Sequence, residues 1–396
     1  MKITSVEIFD IDRNMHVSGG ASWNPVFVKV NTDEGISGYG EVGLAYGDGS
    51  KAGVGIARDY ARHVIGKDPL KSEKIWLDIL RGSFWAQGNG AVEMAGISAY
   101  DMAFWDIKGK AYGVPVYQLL GGKTNEKLRA YASQIQFNWH TAEEEILYKR
   151  QQYVEVTKKA MGEGYTCVKV DPIIFDDQGV PFGWNTHGVL SQKLIRIARE
   201  RIEAIREAGG DDMDIIIELH SFTDATAAIQ LGKALEPFNI FYYEEPVAPL
   251  NPEMMKLVAD NVNIPLASGE RIYSRWGYAP FFKNRSLSVI QPDLANCGGI
   301  SEGKKICDMA QVFDMSVQVH VCGGPISKAA ALQLEAVIPN FLIHEHHSFA
   351  LLPYNVRLCK YDYQPVNGCY SVPDLPGIGQ ELTEETMKEF PPLVVS

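Results

Sequence analysis

The sequence predicts an α/β protein: a closed barrel of parallel strands, preceded by a smaller α+β domain and followed by a short tail. Three observations predict it. From about residue 130 onward, short runs rich in Ile, Val and Tyr alternate with long helical stretches. Three of these runs close on an acid, Glu218 in DIIIELH, Glu244 in IFYYEEP and Glu270 in IPLASGE, 26 residues apart at each step. The first fifty residues instead alternate as strands with helices only after them, the segregated order of an α+β unit.

In the first unit, KITSVEIFDI, PVFVKVNT and SGYGEVGL read as strands, the last two joined at the turn Asp33-Glu34-Gly35. Gly38, Gly40 and Gly43 match G-x-G-x-x-G, the dinucleotide fingerprint. That fingerprint needs a helix opening at the glycines, whereas these lie in the second arm of a hairpin running into AYGDGS, so dinucleotide binding is rejected. Glycine there is expected to let backbone approach something closely. From Lys51 to Leu120 apolar residues recur at three- and four-residue spacing, in SEKIWLDILRGSFW and AVEMAGISAYDMAFWDIKGKAYG, until Gly121-Gly122 stops the helix. The boundary is placed near Thr124, giving a domain of residues 1–124.

The barrel is assigned to residues 125–374. Strands are expected near 130–135, 166–171, 214–220, 240–245, 264–269, 287–292, 316–321 and 341–345. Helices are expected over 141–162, 189–208, 224–236, 251–261, 274–284, 300–313 and 326–338. The step from Lys169 to Glu218 is about one barrel unit too long. Its excess, IIFDDQGVPFGWNTHGV, follows a strand and so rises on the catalytic face as a lid or pocket wall, or as a solvent loop with idle aromatics; Trp184 and His187 are its candidate contacts. The tail, residues 375–396, has no further barrel unit to join and is expected to return to the first domain.

Composition excludes several classes. With 396 residues, 46% hydrophobic and 22% charged, the chain can bury a large core. A net charge of −12 argues against nucleic acid as a partner, and an anionic substrate must be attracted locally. The six cysteines form no C-x-x-C pair, and there is no apolar run of 18 residues and no secretory signal. A cytoplasmic protein with no membrane partner is expected.

In a closed parallel barrel all strand C-termini open on one face, where acids from successive strands converge. Glu218, Glu244 and Glu270 clustered there repel one another unless a cation sits between them. Oxygen-only ligands favour Mg²⁺. One acid at a strand end carries little; three at equal steps carry more.

Nearly end to end, the chain resembles the enolase superfamily and, within it, the mandelate racemase subgroup. The resemblance rests on SAYDMAFWDIKGKAYGVPVYQLLGG before the barrel, then VKVD, IELH, YYEEP, ASGER, IQPD-x-x-x-x-GGI, VHVCGGPIS and IHEHH. Sugar-acid dehydratases of the galactonate and gluconate type are the nearest look-alikes, since they too carry a His two residues beyond the first metal ligand. The resemblance implies a modified TIM barrel, (β/α)7β, with a capping domain, a homo-oligomer, Mg²⁺ at Glu218, Glu244 and Glu270, and a dyad of Asp293 and His320. The first ligand is commonly Asp in this subgroup, so Glu218 is a conservative departure.

Asp293 and His320 close successive strands, and a carboxylate on one imidazole nitrogen makes the other a general base. His220 shares a face with Glu218 by strand period and can serve as a general acid. Racemases of the family carry K-x-K where this chain has Lys169 and Asp171. Lys169 would neutralise a substrate carboxylate, and Asp171 would position a hydroxyl or His220; the missing second lysine speaks against two-base racemisation. Glu345 resembles the family's last catalytic-face acid, which bonds the substrate carboxylate. A zinc cluster from His344, His346 and His347 is disfavoured because consecutive strand residues face opposite ways. Arg271 could bind a carboxylate or pair with a neighbouring acid. Cys322 is read as packing.

The expected reaction is dehydration of a sugar acid. His320 removes the proton α to the carboxylate, Mg²⁺ with Lys169 and Glu345 stabilises the enediolate, and His220 protonates the departing 3-hydroxyl. A 2-keto-3-deoxy acid results. The alternatives are a racemase or epimerase of a 2-hydroxy acid, and a non-catalytic sugar-acid binder.

Overall fold

A computed structural model describes residues 1–12, 16–17, 21–141 and 145–396; the side chains of 16, 17, 21, 184 and 185 lie outside the description. Strands β1 (Ile3–Asp10), β4 (Val26–Thr32) and β5 (Ser37–Val42) form an antiparallel sheet, with a small hairpin of β2 (His16–Val17) and β3 (Ala21–Ser22) beside it. Helices α1 (Ser50–Val64), α2 (Ser72–Gly82) and α3 (Ala91–Tyr112) cover the sheet, burying Val6, Val28, Val30, Ile75, Trp76 and Tyr100 in one apolar core. The close approach expected at the glycines is real. A Cβ at Gly38 would lie 2.2 Å from the Ala103 carbonyl oxygen, and one at Gly40 1.8 Å from that of Ala99. No nucleotide-binding helix opens there, because β5 runs flat against α3.

The short helix α4 (Val116–Leu119) leads into β6 (Lys127–Ser133). Strands β7 (Cys167–Val170), β8 (Asp214–Glu218), β9 (Tyr242–Glu244), β10 (Leu266–Ser268), β11 (Val289–Ile290), β12 (Ser316–Val317) and β13 (His344–His347) follow. All eight run parallel, in the spatial order β12-β11-β10-β9-β8-β7-β6-β13, and a parallel bridge between Val317 and Phe341 links the two ends. The intervening helices are α5 (Arg150–Gly162), α6 (Gln192–Gly209), α7 (Ala225–Leu235), α8 (Pro252–Ala259), α9 (Ser274–Asn284), α10 (Gly299–Val312) and α11 (Pro325–Glu335). Tyr131, Ile216, Tyr242 and Ala267 point inward and fill the barrel below the site. After α12 (Pro353–Val356), β14 (Cys369–Ser371) pairs antiparallel with β6; beyond α13 (Glu384–Glu389), β15 (Leu393–Val395) pairs with β1, Val6 opposite Val395. Among the described residues no helix is long and apolar enough to cross a membrane.

Two expectations need correction. The helix expected over 141–162 begins only at Arg150. Residues 145–148 are not helical: the Glu145 and Leu147 N–H groups donate to the Phe137 and Gln136 carbonyls, and Gln152 then caps the helix start through the Lys149 N–H. Residues 142–144 lie outside the description. The barrel strands also stop earlier than apolar patterning suggests: β8 at Glu218, β11 at Ile290, β12 at Val317. Residues beyond them turn over the mouth, with His220 at φ +49° and Ser221 at +58°.

The two lobes are joined by buried acids that cap barrel helices. Glu41 on β5 accepts from the N–H groups of Gly324 and of Ser327 (2.8 Å) at the start of α11. Asp101 on α3 accepts from the Ser301 N–H (2.8 Å) and hydroxyl (2.6 Å) at the start of α10. Asp106 accepts from Tyr39 N–H (3.0 Å) and Ile378 N–H (2.9 Å), holding the tail against the sheet. Each carboxylate satisfies helix-end or loop N–H groups that would otherwise be orphaned.

Candidate active site

The barrel-strand C-termini and Gly43, Leu44, Ala45 and Tyr46 of the loop after β5 line a cavity of about 270 Å³. Lys169, on β7, is buried at its floor and donates to Glu244 (2.7 Å), with Glu345 at 2.8 Å and Glu218 at 3.3 Å. Burial opposes the lysine charge, but Glu244 and Glu345 outweigh it and hold the ammonium protonated. Glu345 stands on β13 with Ser133 donating to one oxygen (2.8 Å) and the Val321 N–H to the other (3.0 Å).

Glu218, Glu244 and Glu270 each offer a carboxylate oxygen within 4.8 Å of the others. They cannot all be ionised comfortably: burial, and then the charge of Glu218, pushes the Glu244 carboxyl well up. One Glu244 oxygen is buried without a partner among the described residues. An oxygen-only donor set with an unsatisfied buried oxygen fits a hard divalent cation.

Two histidines line the same cavity, each with its own aspartate. His320 Nδ1 lies 2.8 Å from Asp293, whose other oxygen accepts from the Ala295 N–H (2.7 Å). His220 Nδ1 lies 2.9 Å from Asp171, which also accepts from the Ile173 N–H (3.0 Å). Of the two roles open to Asp171, the geometry pairs it with His220. His220 reaches the cavity through a left-handed turn and not through strand period, and its own N–H donates to Glu218 (2.7 Å). Burial works against charge on both imidazoles. Glu218 and Asp171 nevertheless push His220 up to about 9, and Glu270 and Asp293 push His320 up to about 10.

Other placements differ from expectation or were not foreseen. Arg271 pairs with both Glu270 and Glu245. His344 and His346 point away from the cavity, bonded to Glu335 and Tyr165 at 2.5 Å each, whereas His347 lines it beside Glu345. Alternation along the strand places Glu345 and His347 on one face, a signal that was available in the sequence. Cys322 lines the cavity, its thiol pushed well up by burial and by Glu345. Gln134, just past β6, was missed: its amide sits 3.2 Å from His220 Nε2 and accepts from Gln136. Position directly after a barrel strand would have flagged it. From the long insertion, Ile174 lines the cavity while His187 is exposed; the side chain of Trp184 is not described.

Comparison with known proteins agrees with this geometry. Residues 6–121 match the mandelate racemase/muconate lactonizing enzyme N-terminal domain, and residues 152–386 match the enolase C-terminal domain-like model. A D-galactonate dehydratase of Pectobacterium atrosepticum is 32% identical over 373 residues, 92% of this chain and 90% of that one. One from Xanthomonas euvesicatoria is 34% identical over 386 residues, covering 93% and 92%. The crystal structure of an enolase superfamily member from Salmonella Typhimurium superposes with a TM-score of 0.96 at 56% identity, covering all of both chains.

Proposed function

This chain belongs to the mandelate racemase and muconate lactonizing enzyme family of the enolase superfamily, and from that premise we propose that it is a Mg²⁺-dependent hydro-lyase. It removes water from a sugar acid, aldonate or aldarate, to leave a 2-keto-3-deoxy acid. The observation that carries this is the pair of imidazoles on one cavity, each bonded through Nδ1 to its own carboxylate, above a buried lysine. Dehydration needs a base for the C2 proton and an acid for the C3 hydroxyl. The relatives named D-galactonate dehydratase support the same reaction.

Glu218, Glu244 and Glu270 would hold Mg²⁺, whose positive charge stabilises the anion formed when a carboxylate loses its α-proton, as in enolase-like sites generally. Lys169 offers its ammonium to the substrate carboxylate, and Glu345 keeps that ammonium in place. Glu270 lies 3.3 Å from His320 Nε2 and favours its protonated form; as a ligand it would turn its charge to the Mg²⁺, which would leave Nε2 able to accept a proton. His320 takes the C2 proton, and Asp293 stabilises the resulting imidazolium. The electrons of the C2–H bond pass first into the carboxylate group, giving that anion, and then return to form the C2–C3 double bond as the C3–O bond breaks. His220 gives that oxygen its proton, so water departs and the enol becomes the ketone.

The net charge of −12 and six free cysteines support a cytoplasmic protein acting on a small molecule, without nucleic acid or membrane. A homo-oligomer, and a division into residues 1–124, 125–374 and 375–396, are proposed on the same footing. The test is a panel of aldonates and aldarates incubated with Mg²⁺ and read by mass spectrometry for loss of water. Two facing His–Asp pairs also suit a two-base racemase; inversion at C2 with unchanged mass across the panel would replace dehydration by that function.

A further inference from the structure

We propose that Asn296 is a positioning residue through which the loop after β5 sets the orientation of His320; the role given to His320 rests on the sugar-acid dehydration proposed above. Asn296 lies three residues past Asp293, in the turn beyond β11, and lines the cavity. Its Nδ2 donates to the Gly43 carbonyl (3.0 Å) and, at 3.3 Å, to the same Asp293 oxygen that holds His320 Nδ1. One amide thus touches the N-terminal lobe and the His–Asp pair together. Because both neighbours are acceptors, the nitrogen of the amide has to be the atom that faces them. Its Oδ1 is left buried without a partner among the described residues. A buried acceptor without a donor opposes this pose, so the two contacts of Nδ2 are what favours it.

The loop is seated tightly on this turn. Gly43 N–H donates to the Ala295 carbonyl (3.1 Å), and a Cβ at Gly43 would lie 2.5 Å from Cγ and Oδ1 of Asn296 and 2.6 Å from its Nδ2. Glycine, with no Cβ, leaves the amide in place. The next residues, Leu44, Ala45 and Tyr46, line the cavity, and Tyr46 stacks on Phe349 at its aromatic mouth with centroids 6.2 Å apart. A substrate filling the cavity therefore touches the segment whose first carbonyl holds Asn296. Asp293 has one oxygen fixed by the Ala295 N–H (2.7 Å); Asn296 steadies the other, and with it the imidazole. A general base must meet its proton within hydrogen-bond reach, and a small misplacement lowers the rate steeply.

The test uses the Mg²⁺-bound enzyme: Asn296→Ala removes the link, and Gly43→Ala displaces it from the other side. Two readouts are taken. In substrate-free protein labelled with ¹⁵N-histidine, the low-field Nδ1–H proton of His320 is identified by its loss in His320→Asn. It is expected to shift or broaden in both variants, while that of His220, bonded to Asp171, stays in place as an internal reference. With a sugar acid that reacts, kcat is expected to fall about 10- to 100-fold with KM changed by no more than about twofold. The isotope effect of deuterium at C2 is expected to rise as proton removal becomes the slow step. An unmoved His320 resonance in Asn296→Ala overturns the inference, as does a loss of kcat/KM carried by KM alone. Equal disturbance of both histidine signals would mean general disruption of the site and overturns it too. A folded Gly43→Ala in which the His320 signal does not move removes the loop from the proposal; if Gly43→Ala does not fold, Asn296→Ala decides. Absence of keto acid from every sugar acid refutes the dehydration, and the resonance still decides the inference.

Discussion

Asp171 holds His220 through a 2.9 Å bond to Nδ1, while the Ile173 N–H pins its other oxygen at 3.0 Å. A family position associated with a second lysine is here the partner of an imidazole. Asp171→Asn keeps the shape but removes the charge that favours protonated His220. Steady-state kinetics should show kcat reduced about 100-fold or more with KM nearly unchanged. An unchanged kcat would mean that His220 does not act as the acid.

His220 and His320 can be separated by hydrogen exchange. With His220→Asn in D2O, deuterium should enter C2 of recovered substrate without keto acid forming, because His320 still removes the proton; His320→Asn should do neither. Proton NMR of the substrate is the readout. Exchange that survives in His320→Asn and disappears in His220→Asn would reverse base and acid.

Metal binding should be visible as stability. A ligand bound only by the folded state adds about 2.7 kcal/mol at a hundredfold excess over Kd, so Mg²⁺ should raise the Tm of the parent protein measurably. Glu244→Gln removes the carboxyl that burial and Glu218 already disfavour as an anion. That variant should fold, with most of the Mg²⁺-dependent rise in Tm gone. An identical rise in both proteins would exclude Glu244 as a ligand, and full activity in EDTA would exclude the metal.

Asp101, buried against the start of α10, has its carboxyl raised by burial from 3.8 to about 7. The fold retains a proton that the unfolded chain releases near pH 4. Stability from this group is therefore complete below about pH 4 and declines as pH rises toward 7, by at most about 1.4 kcal/mol per pH unit. Asp101→Asn does not titrate. Urea unfolding at pH 5 and pH 7.5 should show the parent protein losing stability relative to the variant; parallel behaviour would show that Asp101 is ionised in the fold throughout.

Gly40 has no room for a methyl group, since Ala99 backbone lies 1.8 Å from where its Cβ would be. Gly40→Ala should push β5 off α3 and cost about 1–3 kcal/mol or more. Thermal unfolding is the check, with Gly47→Ala as the comparison: its Cβ meets nothing within 4 Å, and only its φ of +78° penalises the change.

The alternation of apolar runs and helices by itself determined the parallel barrel, and equal spacing of Glu218, Glu244 and Glu270 at strand ends determined where three carboxylates gather. Both follow from short-range physics, because strand and helix period decide which way each side chain points, and barrel closure brings the strand ends to one face. Tertiary structure alone decided which groups touch across long stretches of chain. Glu41 and Asp101 look like ordinary polar positions until they meet helix ends some 283 and 200 residues away. Arg271 was open between two roles until Glu245 turned out to lie beside it. The helix that starts at Arg150 was overestimated because the carbonyls of Gln136 and Phe137 claim the preceding N–H groups. The aromatic mouth joins the loop after β5 to the segment after β13; periodicity within either segment says nothing of their packing, which depends on how the two lobes meet.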